Sequence, residues 1–167
     1  MLTPVTTIEL KKDYLEFSSG HFTLFSATER EPLHGHNYTV QLLLEVRLQS
    51  VGLNFDYRFY KKTLRKLCES LNHYTLLPSQ SPFLRLRKTA THIFAEFNGE
   101  EIPFLQKDVI CLPLSNITVE ELSKWFVLEL TQNQQRLQQD AIMALTVKVF
   151  SAPGQSGSAT WEAEEHA

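Results

Sequence analysis

Three histidines carry the strongest chemical signal in this chain: His21, His34 and His36. His34 and His36 are spaced i, i+2 at the start of an alternating segment. In a strand, that spacing points both imidazoles to one face. His21 lies thirteen residues before His34, near the end of a preceding strand. It joins the other two if the strands pair as a hairpin. Three imidazoles with one position left open form the ligand set of a catalytic zinc ion, whereas structural sites usually add a fourth ligand. Gly35, between two of the ligands, would let the backbone bend close to a metal. His-x-His alone is a weak motif, and loop histidines beside a turn share it. His92 and His166 read as exposed side chains.

The elements that must position these residues follow from periodicity. A strand is expected near residues 14 to 24, although Tyr14, Glu16, Phe17 and Ser18 do not alternate cleanly. From 37 to 48 the alternation is clear. Tyr38, Val40, Leu42, Leu44, Val46 and Leu48 share one face, and Asn37, Thr39, Gln41, Glu45 and Arg47 the other. That is a long half-buried strand. Asp56 opens a helix with Tyr57, Tyr60, Leu64, Leu67, Cys68 and Leu71 at helical spacing. Residues 83 to 113 read as a short β excursion around Asn98-Gly99, a pair suited to a hairpin turn with positive φ at both positions.

A second helix starts at Thr118. A Thr118–Glu121 capping box and an Ile117–Leu122 staple mark its start, and Leu122, Trp125, Phe126 and Leu130 mark its buried face. The glutamine-rich stretch 132 to 139 extends that helix or forms a polar loop. Residues 142 to 150 read as a strand, Gly154 and Gly157 as a turn, and 158 to 162 as a last strand. The order β-β-α-(small β)-α-β-β describes an α+β domain with two helices on one face of an antiparallel sheet. It spans residues 1–163, with 164–167 as a disordered tail.

The chain has 167 residues and a formal net charge of -3. Acids and bases are interspersed, which gives no footprint for nucleic acid or an anionic membrane. No stretch has the length of a membrane span, and the first residues lack a signal-peptide pattern. Two cysteines, Cys68 and Cys111, sit in apolar runs and read as small buried hydrophobes, an economy that fits a cytoplasmic protein.

Three segments together carry a resemblance. They are FSSGH ending at His21, LHGHNYTV from Leu33 to Val40, and LNHYTLLP from Leu71 to Pro78. They resemble the 6-pyruvoyltetrahydropterin synthase family, which also contains 6-carboxytetrahydropterin synthase. NFDYRFYKKTL around Asp56 and TVEEL from Thr118 are similar to the starts of that family's two helices. The resemblance implies a tunnelling fold, in which four-stranded antiparallel sheets with two helices close into a trimer barrel. Two trimers stack into a homohexamer, with active sites between subunits. It also implies Zn2+ on His21, His34 and His36, and a dihydropterin substrate such as 7,8-dihydroneopterin triphosphate. His73 would be an auxiliary acid–base residue, and Thr118 and Glu120 would lie in the segment that touches the ring.

Most members carry a cysteine between the first histidine and the HGH. This chain has none there and has Glu31 instead, three residues before His34. That matches an ExxHGH branch in which the side chain is cleaved between C1′ and C2′, giving 6-hydroxymethyl-7,8-dihydropterin for folate synthesis. Glutamate suits retro-aldol cleavage, which needs a base at the C2′ hydroxyl. As residues alone, Glu31 and Glu29 are two surface acids of one loop. Two positions depart from the family. Asn72 stands where an aspartate supports the histidine that follows, and an amide cannot stabilise an imidazolium by charge. Ser151 stands where a glutamate grips the pterin ring, and a hydroxyl cannot make that bidentate contact. Both keep open a zinc-binding paralogue with altered or no pterin activity, alongside a 6-pyruvoyl- or 6-carboxytetrahydropterin synthase.

Overall fold

The computed structural model describes residues 4–48, 52 and 55–164; His166 and residues 165 to 167 of the expected tail lie outside them. The spine is one long strand, β3 (His34–Arg47). One edge of β3 pairs antiparallel with β9 (Ile142–Ala152), and β9 in turn pairs with β10 (Gln155–Glu162). The other edge is shared. β2 (Glu16–His21) covers His34 to Thr39, and β1 (Val5–Leu10) covers Leu42 to Arg47. Between them the chain turns, with the Leu15 N–H on the Lys12 carbonyl at 2.9 Å and the Val40 N–H on the Leu15 carbonyl at 2.8 Å. β1 and β2 thus share one edge of β3 as two separate strands, so the expected count of four strands does not describe this sheet.

The sheet does not stop there. β4 (Thr75–Pro78) joins β2 in parallel, and β8 (Val109–Leu112) joins β4 in parallel, so the main sheet has seven strands and is mixed. The expected excursion over 83 to 113 therefore divides. β5 (Arg85–Lys88), β6 (His92–Phe97) and β7 (Glu100–Leu105) form their own three-stranded sheet, and a single 3-10 turn, Gln106–Asp108, returns the chain to β8. Asn98 and Gly99 have φ of 49° and 80°, as their hairpin turn requires.

Helices α1 (Arg58–Leu71) and α2 (Val119–Leu130) pack on the main sheet. The core between them takes Tyr38, Val40, Leu42, Leu44 and Val46 from β3, Leu64, Cys68 and Leu71 from α1, and Leu122 and Phe126 from α2. A second cluster, around Phe22, Leu77, Ile93, Phe97 and Val109, sits under the small sheet. Tyr57 is exposed just before α1, where the Asp56 carboxylate accepts from the Arg58 N–H. The glutamine-rich stretch forms a separate short helix, α3 (Gln134–Gln139). Cys68 is buried, and burial pushes its thiol up to about 12. Cys111 is exposed, contrary to its apolar surroundings in sequence, because β8 is an edge strand. Among the described residues, no helix is long and apolar enough to cross a membrane.

The start of α2 is fixed twice. Thr118 Oγ1 accepts from the Glu121 N–H at 3.3 Å, which is half of a capping box. The other half is missing, because the Glu121 carboxylate accepts from the Ser115 N–H and hydroxyl instead. The second anchor is Gly157, which is not part of the turn but lies inside β10. A Cβ there would meet the Val119 carbonyl carbon and the Glu120 nitrogen at 2.6 Å, both backbone atoms. Gly157→Ala is therefore expected to destabilise the protein by about 1–3 kcal/mol, the usual cost of overpacking, read as a lower urea midpoint.

Candidate metal centre

β2 and β3 pair with His21 opposite His34 and Ser19 opposite His36. Alternation then puts the three imidazoles on one face, with ring centroids 4.6 to 5.1 Å apart. One ligand atom from each lies within 4.8 Å of the others. The orientation is set from behind. His21 Nδ1 bonds the Ile117 carbonyl at 2.8 Å, and His34 Nδ1 bonds the Pro32 carbonyl at 2.9 Å. A carbonyl only accepts, so each Nδ1 carries the proton and each Nε2 presents a lone pair. His21 Nε2 is buried without a hydrogen-bond partner. His34 Nε2 and His36 Nε2 stand 3.0 Å apart. Two nitrogens bound to one tetrahedral zinc are separated by about 3.3 Å, so a small shift accommodates the ion. An orphaned buried nitrogen facing two more imidazoles fits a zinc site.

Gly35 acts differently from the sequence expectation. Its bare side faces away from the imidazoles, where a Cβ would stand 3.2 Å from the Ser19 carbonyl oxygen. It permits close strand pairing beneath the site. Tyr38 continues the histidine face, with its ring 5.5 Å from His36 and 5.9 Å from His21.

Glu31, in the loop after β2, lies near enough to interact electrostatically with all three histidines. Its Oε2 accepts from the Thr23 N–H at 3.0 Å. Partial burial pushes its carboxyl up, but the Thr23 hydrogen bond and the nearby His34 and His21 outweigh burial and hold it below the usual range. Asn116 ties the loop down, since its Oδ1 accepts from the Leu24 N–H and its Nδ2 donates to the Leu24 carbonyl. Asn116 and the Ile117 carbonyl were not visible as site residues in the sequence; a backbone acceptor leaves no signal there.

Burial lowers His21, helped by the charges of His34 and His36, and burial also lowers His36. A histidine lowered by folding takes up its proton more readily in the unfolded chain. Its contribution to stability is full above the ordinary value of 6.5 and is lost as pH falls through the lower folded value. Chelator-stripped protein should therefore lose thermal stability as pH falls below about 6.5. His21→Gln should flatten that slope in a melting series.

The remaining site residues divide. Thr118 and Glu120 directly follow Ile117, so the start of α2 borders the metal centre; Thr118 Oγ1 is occupied as the helix cap, and Glu120 is exposed. Ser151 lies on β9 beside the bulge against β10, with its Oγ buried and lacking a partner. His73 is not brought to the three imidazoles of its own chain. It borders a hollow of about 470 Å3 with Ser18, His36, Asn37, Thr75 and Asp108, over the bare backbone of Gly20 and Gly35. A Cβ on Gly20 would meet Thr75 Oγ1 at 3.4 Å, which places this hollow on the opposite face of the sheet from His21.

Comparison with known proteins agrees with this geometry. The family model for 6-pyruvoyl tetrahydropterin synthase matches residues 9–162. A protein of Methanocaldococcus jannaschii, provisionally named a 6-carboxy-5,6,7,8-tetrahydropterin synthase, is 26% identical over 142 residues, covering 84% of this chain and 86% of its own. The crystal structure of 6-pyruvoyl tetrahydropterin synthase from Plasmodium vivax superposes with a TM-score of 0.90 at 24% identity, covering 96% of this chain and 99% of that one. A variant of the P. vivax protein, described as replacing a catalytic glutamate by alanine, superposes equally well, with a TM-score of 0.90, the same 24% identity and the same 96% and 99% coverage.

Proposed function

The chain belongs to the 6-pyruvoyl tetrahydropterin synthase family, and on that premise we propose that it is a zinc-dependent lyase of pterin metabolism. Its substrate is 7,8-dihydroneopterin triphosphate or a close dihydropterin, and its reaction is cleavage of the side chain between C1′ and C2′. The observation that carries this reading is Glu31. Its carboxylate is anchored on the Thr23 N–H and felt electrostatically by His21 and His36, in a chain with no cysteine between His21 and His34. The catalytic glutamate of the P. vivax relative is the corresponding group in our reading.

Zinc held by His21, His34 and His36 would supply Lewis acidity toward a side-chain hydroxyl. The Ile117 and Pro32 carbonyls keep the ligands in the metal-binding tautomer. Glu31, lowered and therefore ionised at neutral pH, accepts the proton of the C2′ hydroxyl. The C1′–C2′ bond breaks, its electron pair passes into the ring imine, and C1′ then takes a proton. The products are 6-hydroxymethyl-7,8-dihydropterin and a two-carbon aldehyde bearing the triphosphate. Thr118 and Glu120 border the ring. His73 lies outside its own chain's three-histidine group, and it serves a neighbouring chain in the proposed dimer of trimers.

Zinc-loaded protein incubated with the substrate and analysed by mass spectrometry tests this reading. The 6-hydroxymethyl product is expected. A product retaining all three side-chain carbons would identify a 6-pyruvoyl-type synthase instead. An unchanged substrate would favour a zinc-binding paralogue without turnover, a reading motivated by Asn72 and by the single hydroxyl of Ser151.

A further inference from the structure

The hollow on the sheet's far face contains a carboxylate that no role so far explains. Asn72 ends α1, and its Oδ1 accepts from the Ser18 N–H at 2.8 Å. The amide oxygen has a second lone pair, but the group carries no charge and cannot stabilise an imidazolium electrostatically. His73 follows in a left-handed conformation with φ of 68°, and its N–H is fixed on the Ser18 carbonyl at 2.7 Å. A non-glycine residue held this way is mounted rigidly, and such strain collects at functional positions. Asp108 is brought alongside by the pairing of β4 with β8. Thr75 lies opposite Val109, so Asp108 comes next to Tyr74, the neighbour of His73. Both residues line the same hollow.

We propose that Asp108 is the positioning carboxylate of His73, supplying the negative charge that Asn72 lacks. No ion pair joins the two directly. The hollow between them has room for a bridging water, with Ser18, Asn37 and Thr75 as further polar partners. The other titratable groups on its walls are His36 and Tyr74. Lys107, on the same turn as Asp108, does not border it, and Glu69 at the end of α1 is paired with Arg65. Asp108 is thus the acidic residue that lines the hollow together with His73. Its role in turnover rests on the lyase reading, but its action on the imidazole does not.

The test uses zinc-loaded full-length protein and nuclear magnetic resonance of the histidine rings across a pH series. His73→Gln identifies the His73 signals. In Asp108→Asn, the proton affinity of His73 should fall by about threefold or more, as expected when an opposite charge is removed. With substrate, the same variant should lose about tenfold or more in kcat with little change in KM, and Asn72→Asp in the Asp108→Asn background should restore part of it. Asp108 is exposed on a short turn, so the fold tolerates these changes. A His73 titration unchanged in Asp108→Asn overturns the proposal, even if kcat falls. Failure of the unaltered protein to turn substrate over would sink the lyase reading, while the titration would still decide the pair.

Discussion

His34→Ala should reduce bound zinc from one ion per chain to a trace and lower turnover by on the order of a thousandfold. The second figure follows from transition-state arithmetic. A Lewis acid contributes several kcal/mol at the developing charge, and about 4 kcal/mol corresponds to a factor of about a thousand. His34 is the right position to change because it is exposed, whereas His21 is buried in the sheet. Loss of His34 removes one of the three converging nitrogens without emptying the core. Metal analysis of the dialysed protein reads the first effect, and product formation reads the second. His92→Ala, on the separate small sheet, should keep both. Full zinc occupancy in His34→Ala would mean that the ion is held elsewhere.

Glu31→Gln should leave zinc in place and lower kcat by about a hundredfold to ten-thousandfold, the usual range for removing a general base. The amide oxygen can still accept from the Thr23 N–H, so the loop should keep its position. What is lost is the proton acceptor. The two variants therefore separate metal binding from proton transfer: His34→Ala loses both zinc and turnover, and Glu31→Gln loses turnover alone. Unchanged kcat in Glu31→Gln would remove Glu31 from the chemistry and return it to the status of a surface acid beside Glu29.

The sequence made the metal face legible because that face uses the simplest code a strand has. His34, His36, Tyr38, Val40, Leu42, Leu44 and Val46 keep period two along β3. The helix faces were legible for the same reason. β1 was not, since Val5 to Glu9 are mostly exposed and carry no apolar alternation. β4 and β8 were hidden differently. Each has four residues and lies between the two hydrophobic clusters, so Leu76 and Leu77 are both buried and no alternation survives. Gly157 was misread because a glycine seated under a helix and a glycine in a turn look alike in sequence.

Residues 116 to 118 make a single short span with three attachments. Asn116 holds the loop that carries Glu31, the Ile117 carbonyl holds His21, and Thr118 starts α2 against Gly157. Glu31, His21 and the first turn of α2 therefore share one mechanical hinge-pin. A shift in the first turn of α2 therefore pulls on His21 and the Glu31 loop together. This span and the loop from Phe22 to Glu31 should consequently drift as a unit.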